Sequence, residues 1–246
     1  MSAIFKREFK SYFATPIGYV VLAAFYLFLG IFFVTLFSQG SPDISLIILS
    51  MSTIVVFVLP VLTMRIMSED RRQKVDQALL TAPVTLTSIV IGKFSAALVV
   101  FAIGFAPTVI FEIITMAYIS VNVLSFVYAL IGILLLGSTL IAIGMFISSL
   151  TESAVISAII TLLVNIVMLF NFAGMITVPQ GDTFFEKIWA KIVEWFALAL
   201  EKLSFIATFD KFGENVFSIA DIIYFVSITA VFLFLCVRSL ERRRWS

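Results

Sequence analysis

Histidine is absent from this chain, and cysteine occurs once, at position 236. Without an imidazole there is no histidine acid–base chemistry, no His-based triad and no His-containing metal site. One thiol excludes an intrachain disulfide and a cysteine-built zinc cluster. Within an apolar run, Cys236 reads as a buried structural residue. Charge is also scarce, at 13% of 246 residues, about half of the roughly 25% typical of soluble domains. What fills the chain instead is hydrophobic sequence, 62% of it. It lies in long continuous runs rather than the short alternating strands of a barrel.

A spanning helix needs about 20 mostly apolar residues. Six runs meet or approach that length, at about 17–37, 44–64, 89–111, 123–147, 153–172 and 219–238. The expectation is an all-α polytopic membrane protein with six transmembrane helices in a single transmembrane domain, 1–246. No internal repeat and no low-complexity linker divides it.

The net charge of +1 hides an asymmetry. With both termini placed inside, twelve Lys and Arg residues fall on the cytoplasmic side. Only Lys187, Lys191, Lys202 and Lys211 fall outside. The positive-inside bias therefore predicts cytoplasmic termini. The first run is too long for a signal-peptide core and has no convincing cleavage site, so no cleavable leader is expected.

Residues 3–14 read as an amphipathic helix, with Phe5, Phe9, Tyr12 and Phe13 at helical spacing and Lys6, Arg7, Glu8 and Lys10 on the other side. It suits an interfacial helix with its bases toward anionic lipid; plain topology-fixing charge is the alternative. Pro16 opens the first span, where its missing N–H costs nothing. Gly40, Ser41 and Pro42 mark a short outer turn. Between the fifth and sixth runs, Phe184, Phe185, Ile188, Trp189, Ile192, Trp195, Phe196, Ala199 and Leu203 recur at three- and four-residue steps. Charged residues take the opposite side. One or two amphipathic helices are expected there, on the outer leaflet or packed on the spans.

The most distinctive stretch is polar, Arg65 to Lys93, between the second and third spans. Ser68 is a plausible N-cap, and Glu69 and Asp70 suit a helix start. Val75, Ala78 and Leu79 form a small apolar stripe, and Pro83 stops the helix. Such a charged helix suits insertion into a groove of a soluble partner; a solvated hairpin is the plain alternative.

Ser68, Glu69, Asp70, Arg71, Arg72, Leu79, Leu80, Pro83, Val84, Thr85, Gly92 and Lys93 follow one order. That order resembles the membrane subunits of ATP-binding-cassette (ABC) type-2 exporters. Those proteins usually have Gly-Thr where this chain has Lys74-Val75, and Glu at Gln77. Tyr12 to Tyr19 at the entry, and Asp221 to Phe225 with Ser239 to Trp245 at the close, are similar to the gliding-motility permease branch. Related permeases of that branch serve nitrous-oxide reductase maturation.

The resemblance implies that Ser68, Glu69, Asp70, Arg71, Arg72, Val75, Ala78, Leu79 and Pro83 belong to a coupling helix resting on a separate ATPase subunit. It implies two copies of this chain with two ATPase subunits. ATP and magnesium would sit in the partner, with no cofactor, metal site or catalytic residue in this chain. A P-loop is indeed missing: Gly92-Lys93 is followed by Phe94, and Thr87 stands at the first glycine position. The expected home is a bacterial cytoplasmic membrane, with membrane lipid and an accessory protein as further partners.

Glu112, an acid inside an apolar run, is a candidate for the transport path or for a structural polar role near the outer surface. Asn165 and Asn171 are expected to hydrogen-bond across helices, and Gly132, Gly137 and Gly144 to permit close packing. An assembly subunit that turns ATP hydrolysis into work on a periplasmic partner competes with the exporter. The shortage of intramembrane charge argues against an ion-coupled carrier.

Overall fold

The computed structural model describes residues 2–40, 43–72, 85–118, 122–169 and 218–245, together with positions 190, 191, 193, 205, 208, 209 and 212. Among them there is helix and turn and no strand. Eight helices follow one another: α1 Ser2–Ala14, α2 Pro16–Ser38, α3 Ile44–Thr63, α4 Ser68–Arg72, α5 Leu86–Met116, α6 Val123–Leu150, α7 Ala154–Leu169 and α8 Ile219–Trp245.

Five of these are long and apolar enough to cross a membrane: α2, α3 with its continuation to Arg72, α5, α6 and α8 as far as Arg242. The expected fifth span, 153–172, corresponds to α7, which has 16 residues. At 1.5 Å per residue that is roughly 24 Å, short of a hydrocarbon core about 30 Å thick. Residues 170–172 lie outside the described ones. So do Asn171 and most of the expected outer amphipathic segment. α5 runs in the other direction, longer than the 89–111 expected, because Thr85 caps its start by accepting from the Ser88 amide. Pro107 lies within it without ending it.

The helix starts follow local chemistry. Thr15 is extended and Pro16 stands in the first turn of α2, where proline removes an N–H that has no helical partner. Asp43 caps α3 by accepting from the Ser45 amide at 2.9 Å. Asn122 caps α6 in the same way through Leu124. Gly40 takes φ +75° at the end of the α2 turn, a conformation that favours glycine.

α6 is the central helix. It packs on α3, α8, α7 and α5, while α7 packs chiefly on α3 and α6, and α1 packs on α5 and α2. The expected glycines allow this. A side chain at Gly137 would meet the Phe101 ring, one at Gly132 would meet Phe212, and one at Gly144 would meet Thr63 and Thr161. Phe25, Phe101 and Phe105 form an aromatic knot with centroids 5.1–5.7 Å apart. Thr139 and Thr229 join α6 to α8 through hydroxyls 3.0 Å apart, so a polar contact supplements packing where water gives no hydrophobic drive.

α1 folds back on the start of α2, and Gly18 makes the approach possible. A Cβ there would lie 2.4 Å from the Tyr12 carbonyl oxygen and 2.9 Å from its carbon. Both are backbone atoms and cannot rotate away. Gly18→Ala is expected to destabilise the purified protein by about 1–3 kcal/mol, the usual cost of overpacking. The measurement is the thermal unfolding midpoint. A midpoint equal to the parent's would mean that α1 is not held against α2 at this point.

Candidate functional site

The polar segment enters the fold as a fixed corner rather than a free loop. After Thr63 the chain continues through a turn into α4. The Ser148 hydroxyl of α6 accepts from the amides of Met67 and Ser68, both at 3.1 Å, and donates to the Met64 carbonyl at 3.0 Å. Ser148 is completely buried. Three backbone groups around the start of α4 are thus satisfied by one side chain from a distant helix. The expectation that Ser68 itself caps the helix is corrected here. Its hydroxyl donates to the Met64 carbonyl four residues back, and the Arg71 amide is instead held by the Met67 carbonyl.

The electrostatic centre of the corner is Lys93 on α5, only 1% exposed. Its ammonium lies 2.7 Å from Asp70 Oδ2, 3.2 Å from Glu8 Oε1 and 2.7 Å from the Ile66 carbonyl. An ammonium has three donors and no acceptor, and all three are used. One residue therefore ties α5, α1, α4 and the end of α3 together. Arg7 stands behind it, 2.7 Å from Glu8 and 4.0 Å from Asp70. Its hydrogen bond to Glu8 raises the guanidinium pKa above its already high value. Tyr12 donates to the Leu62 carbonyl at 3.3 Å. Burial, and then the Glu8 charge, push its phenol well above the usual value, so it stays a neutral donor.

Arg65 and Glu69 form a forked pair, with both contacts at 2.9 Å. Arg71 donates to the Leu150 carbonyl at 3.0 Å and pairs with Glu152 at 2.9 Å. The Glu152 side chain is 67% exposed, and such surface pairs are worth about 0–1 kcal/mol. The strength of the corner therefore lies in Lys93 and Ser148. Between α1 and the α3–α4 corner opens a cleft of about 310 Å³, lined by Arg7, Glu8, Tyr12, Leu62, Arg65 and Asp70 among others.

Of the expected site residues, Ser68, Glu69, Asp70 and Arg71 meet at this corner, and Arg72 is exposed beside it. Val75, Ala78, Leu79 and Pro83 lie outside the described residues. Glu112 and Asn165 are elsewhere. Glu112 lies nineteen residues beyond Lys93 on α5, roughly 28 Å along the helix. Although near the helix end, it does not reach the surface: it is 2% exposed, and among the described residues its carboxylate has no hydrogen-bond partner. Asn165 is fully buried and its amide is also unpartnered among the described residues. The expected cross-helix bond from Asn165 is therefore not seen among them.

Sequence reasoning passed over Glu8, Lys93 and Ser148 as members of the corner. A signal existed for two of them. Leu86, Ile89, Val90, Lys93, Ala96, Ala97 and Val100 share one buried face of α5, so Lys93 falls on the apolar period, where a charge requires partners. Glu8 lies four residues from both Ile4 and Tyr12, on the inner edge of α1 rather than its outer face. Ser148, one of a serine pair at a helix end, carried no such signal.

These features define a helical membrane protein that crosses the bilayer several times and gathers a buried ion-paired corner at one end of its spans. Residues 1–202 match the ABC-2 type transporter family, and the chain belongs to that family. It is accordingly the permease component of an ABC transporter, a membrane domain that is generally non-catalytic and implies a partner ATPase. A comparison with curated proteins found no match.

Proposed function

We propose that this chain is the membrane subunit of an ATP-driven exporter, working as two copies with two separate ATPase subunits that dock on segment 65–85. ATP and magnesium act in those partners. The apolar run 153–172, which contains α7, serves as a sixth span. Both termini face the cytoplasm of a bacterium, α1 lies in the inner leaflet interface, and the chain works in the manner of the gliding-motility and nitrous-oxide-reductase-maturation permeases. Glu112 and Asn165 are polar groups of the transport path or of the packing between helices.

The observation that supports this reading best is the corner itself. A loop with no task needs no buried lysine bonded to α1, α3 and α4. A segment that receives force from a soluble partner does, because force passes only through contacts that do not yield. Displacement of α4 is expected to reach α5 through Asp70 and Lys93, α1 through Glu8, and α6 through Ser148.

The test separates the two arginines. Arg72 is exposed, whereas Arg71 is held by Leu150 and Glu152. Arg72→Glu is expected to reduce co-purification of the ATPase at least about tenfold, equivalent to some 1.4 kcal/mol of docking energy, with the midpoint of unfolding unchanged. Adding Arg71→Glu deepens the loss and also loosens the corner. Retention of the ATPase by the double variant, with normal coupled activity, would rule out docking at this segment.

A further inference from the structure

α7 carries a second polar feature that the corner does not use. Ser157, Thr161 and Asn165 follow one another at four-residue steps, so they share one face of the helix over about 12 Å. All three are completely buried. Among the described residues, Ser157 Oγ, Thr161 Oγ1 and both polar atoms of Asn165 have no hydrogen-bond partner.

Other helical hydroxyls in this chain satisfy themselves locally. Thr35, Ser50, Thr63, Thr115, Thr139 and Thr229 each donate to the carbonyl four residues back. Ser157 and Thr161 do not, so their hydrogen-bonding capacity stays free. At the middle of the row, a Cβ added at Gly144 of α6 would meet the Thr161 methyl of α7 and the Thr63 side chain of α3. The row therefore faces the seam where α3, α6 and α7 meet.

The chemistry of the seam is uncharged. α3, α6 and α7 contain no Asp, Glu, Lys or Arg between Ile44 and Thr63, Val123 and Leu150, or Ala154 and Leu169. The opposite face of α7 is apolar and exposed, at Val155, Ile156, Ile159 and Leu163. The helix joins α6 through three non-helical residues, Thr151 to Ser153.

We propose that the α3–α6–α7 seam is a binding track for an uncharged, hydroxyl- or amide-bearing part of a solute, entered when α7 moves off α3 and α6. This deepens the exporter reading, on which it rests for the solute. A hydroxyl or amide supplies both donor and acceptor to the free groups of Ser157, Thr161 and Asn165. A charged group would find no counter-charge there and would be excluded.

The test uses Cys236→Ala, which removes the chain's own thiol, with one new cysteine at a time: Ser157→Cys, Thr161→Cys or Asn165→Cys. Ile159→Cys and Leu163→Cys serve as lipid-facing controls, and Lys10→Cys as an exposed one. Native membranes containing the whole complex are treated with two neutral thiosulfonate reagents, one hydroxyethyl and one glucosyl, with ATP and with ATP plus vanadate. The thiolate is the reacting form, so modification reports a polar environment.

Both reagents are expected to modify the three seam cysteines at least about tenfold faster than the lipid-facing controls under ATP turnover. Modification by the hydroxyethyl reagent alone would mean that only water enters and would overturn the solute track. Slow modification by both, with Lys10→Cys reacting normally, would overturn it as well. Fast modification by both that is indifferent to ATP would support the track while counting against ATP-driven export. Because three positions report independently, the loss of one variant to misfolding leaves the result readable.

Discussion

Lys93→Met is expected to destabilise this protein by about 3–5 kcal/mol, the range seen when one partner of a buried ion pair is removed. The side chain keeps its length and loses its charge. Asp70 and Glu8, both within 3.2 Å of the ammonium, then face each other with only Arg7 to balance them, and the Ile66 carbonyl loses its donor. The readouts are the yield of folded protein and its unfolding midpoint in detergent. The informative companion is the triple variant Lys93→Met, Glu8→Gln, Asp70→Asn. It removes the uncompensated charge together with the lysine, and replacing a whole buried ionic group is often neutral or stabilising. Its midpoint should return to near the parent's.

ATP-coupled activity of the triple variant then separates two roles. If the corner transmits force, the folded triple variant hydrolyses ATP with its partner but no longer couples hydrolysis to transport, because neutral amides hold the joint less firmly. If the corner only fixes the fold, activity returns with stability. A Lys93→Met single variant as stable as the parent would refute the buried ion pair itself.

Most of the helical plan could be read from composition and periodicity. The starts of α2, α3 and α6 fall within a residue or so of the expected runs, because Pro16, Asp43 and Asn122 set them locally. The glycines of α6 were legible for a similar reason: in a membrane helix, a small residue has few uses other than close packing. α7 was harder. Hydropathy registers that it is apolar, but the described helix reaches only Leu169 and the rest of the expected run lies outside the described residues. The site was half legible. Segment 65–72 announced itself by charge, but its anchors came from helices far away in sequence. Lys93 looked like a loop-end positive charge, yet it lies a full two turns inside α5. Glu8 was assigned to the wet side of α1 because its type outweighed its position. Ser148 could not be found, because a hydroxyl in a helix is satisfied by its own backbone unless tertiary structure offers something else.

Ser148→Ala is expected to cost about 2–4 kcal/mol. It strips one acceptor from two buried amides and one donor from a buried carbonyl, and an unsatisfied buried group costs roughly 1–3 kcal/mol. The amides of Met67 and Ser68 are the groups left open, while the Met64 carbonyl keeps the Ser68 hydroxyl as a donor. Water can recover part of the loss because the corner lies at the end of the spans, which is why the expected total stays below a simple sum. The specific readout is hydrogen exchange. The Met67 and Ser68 amides should exchange much faster in Ser148→Ala, while amides in the middle of α6 keep their protection. Ser148→Thr supplies the same oxygen and should restore protection at those two amides, apart from the strain of one added methyl group. Unchanged exchange at Met67 and Ser68 would mean that α4 is held by its charges alone. Lys93 would then be the main anchor, and α6 would hold the segment through the Arg71 bond to the Leu150 carbonyl rather than through Ser148.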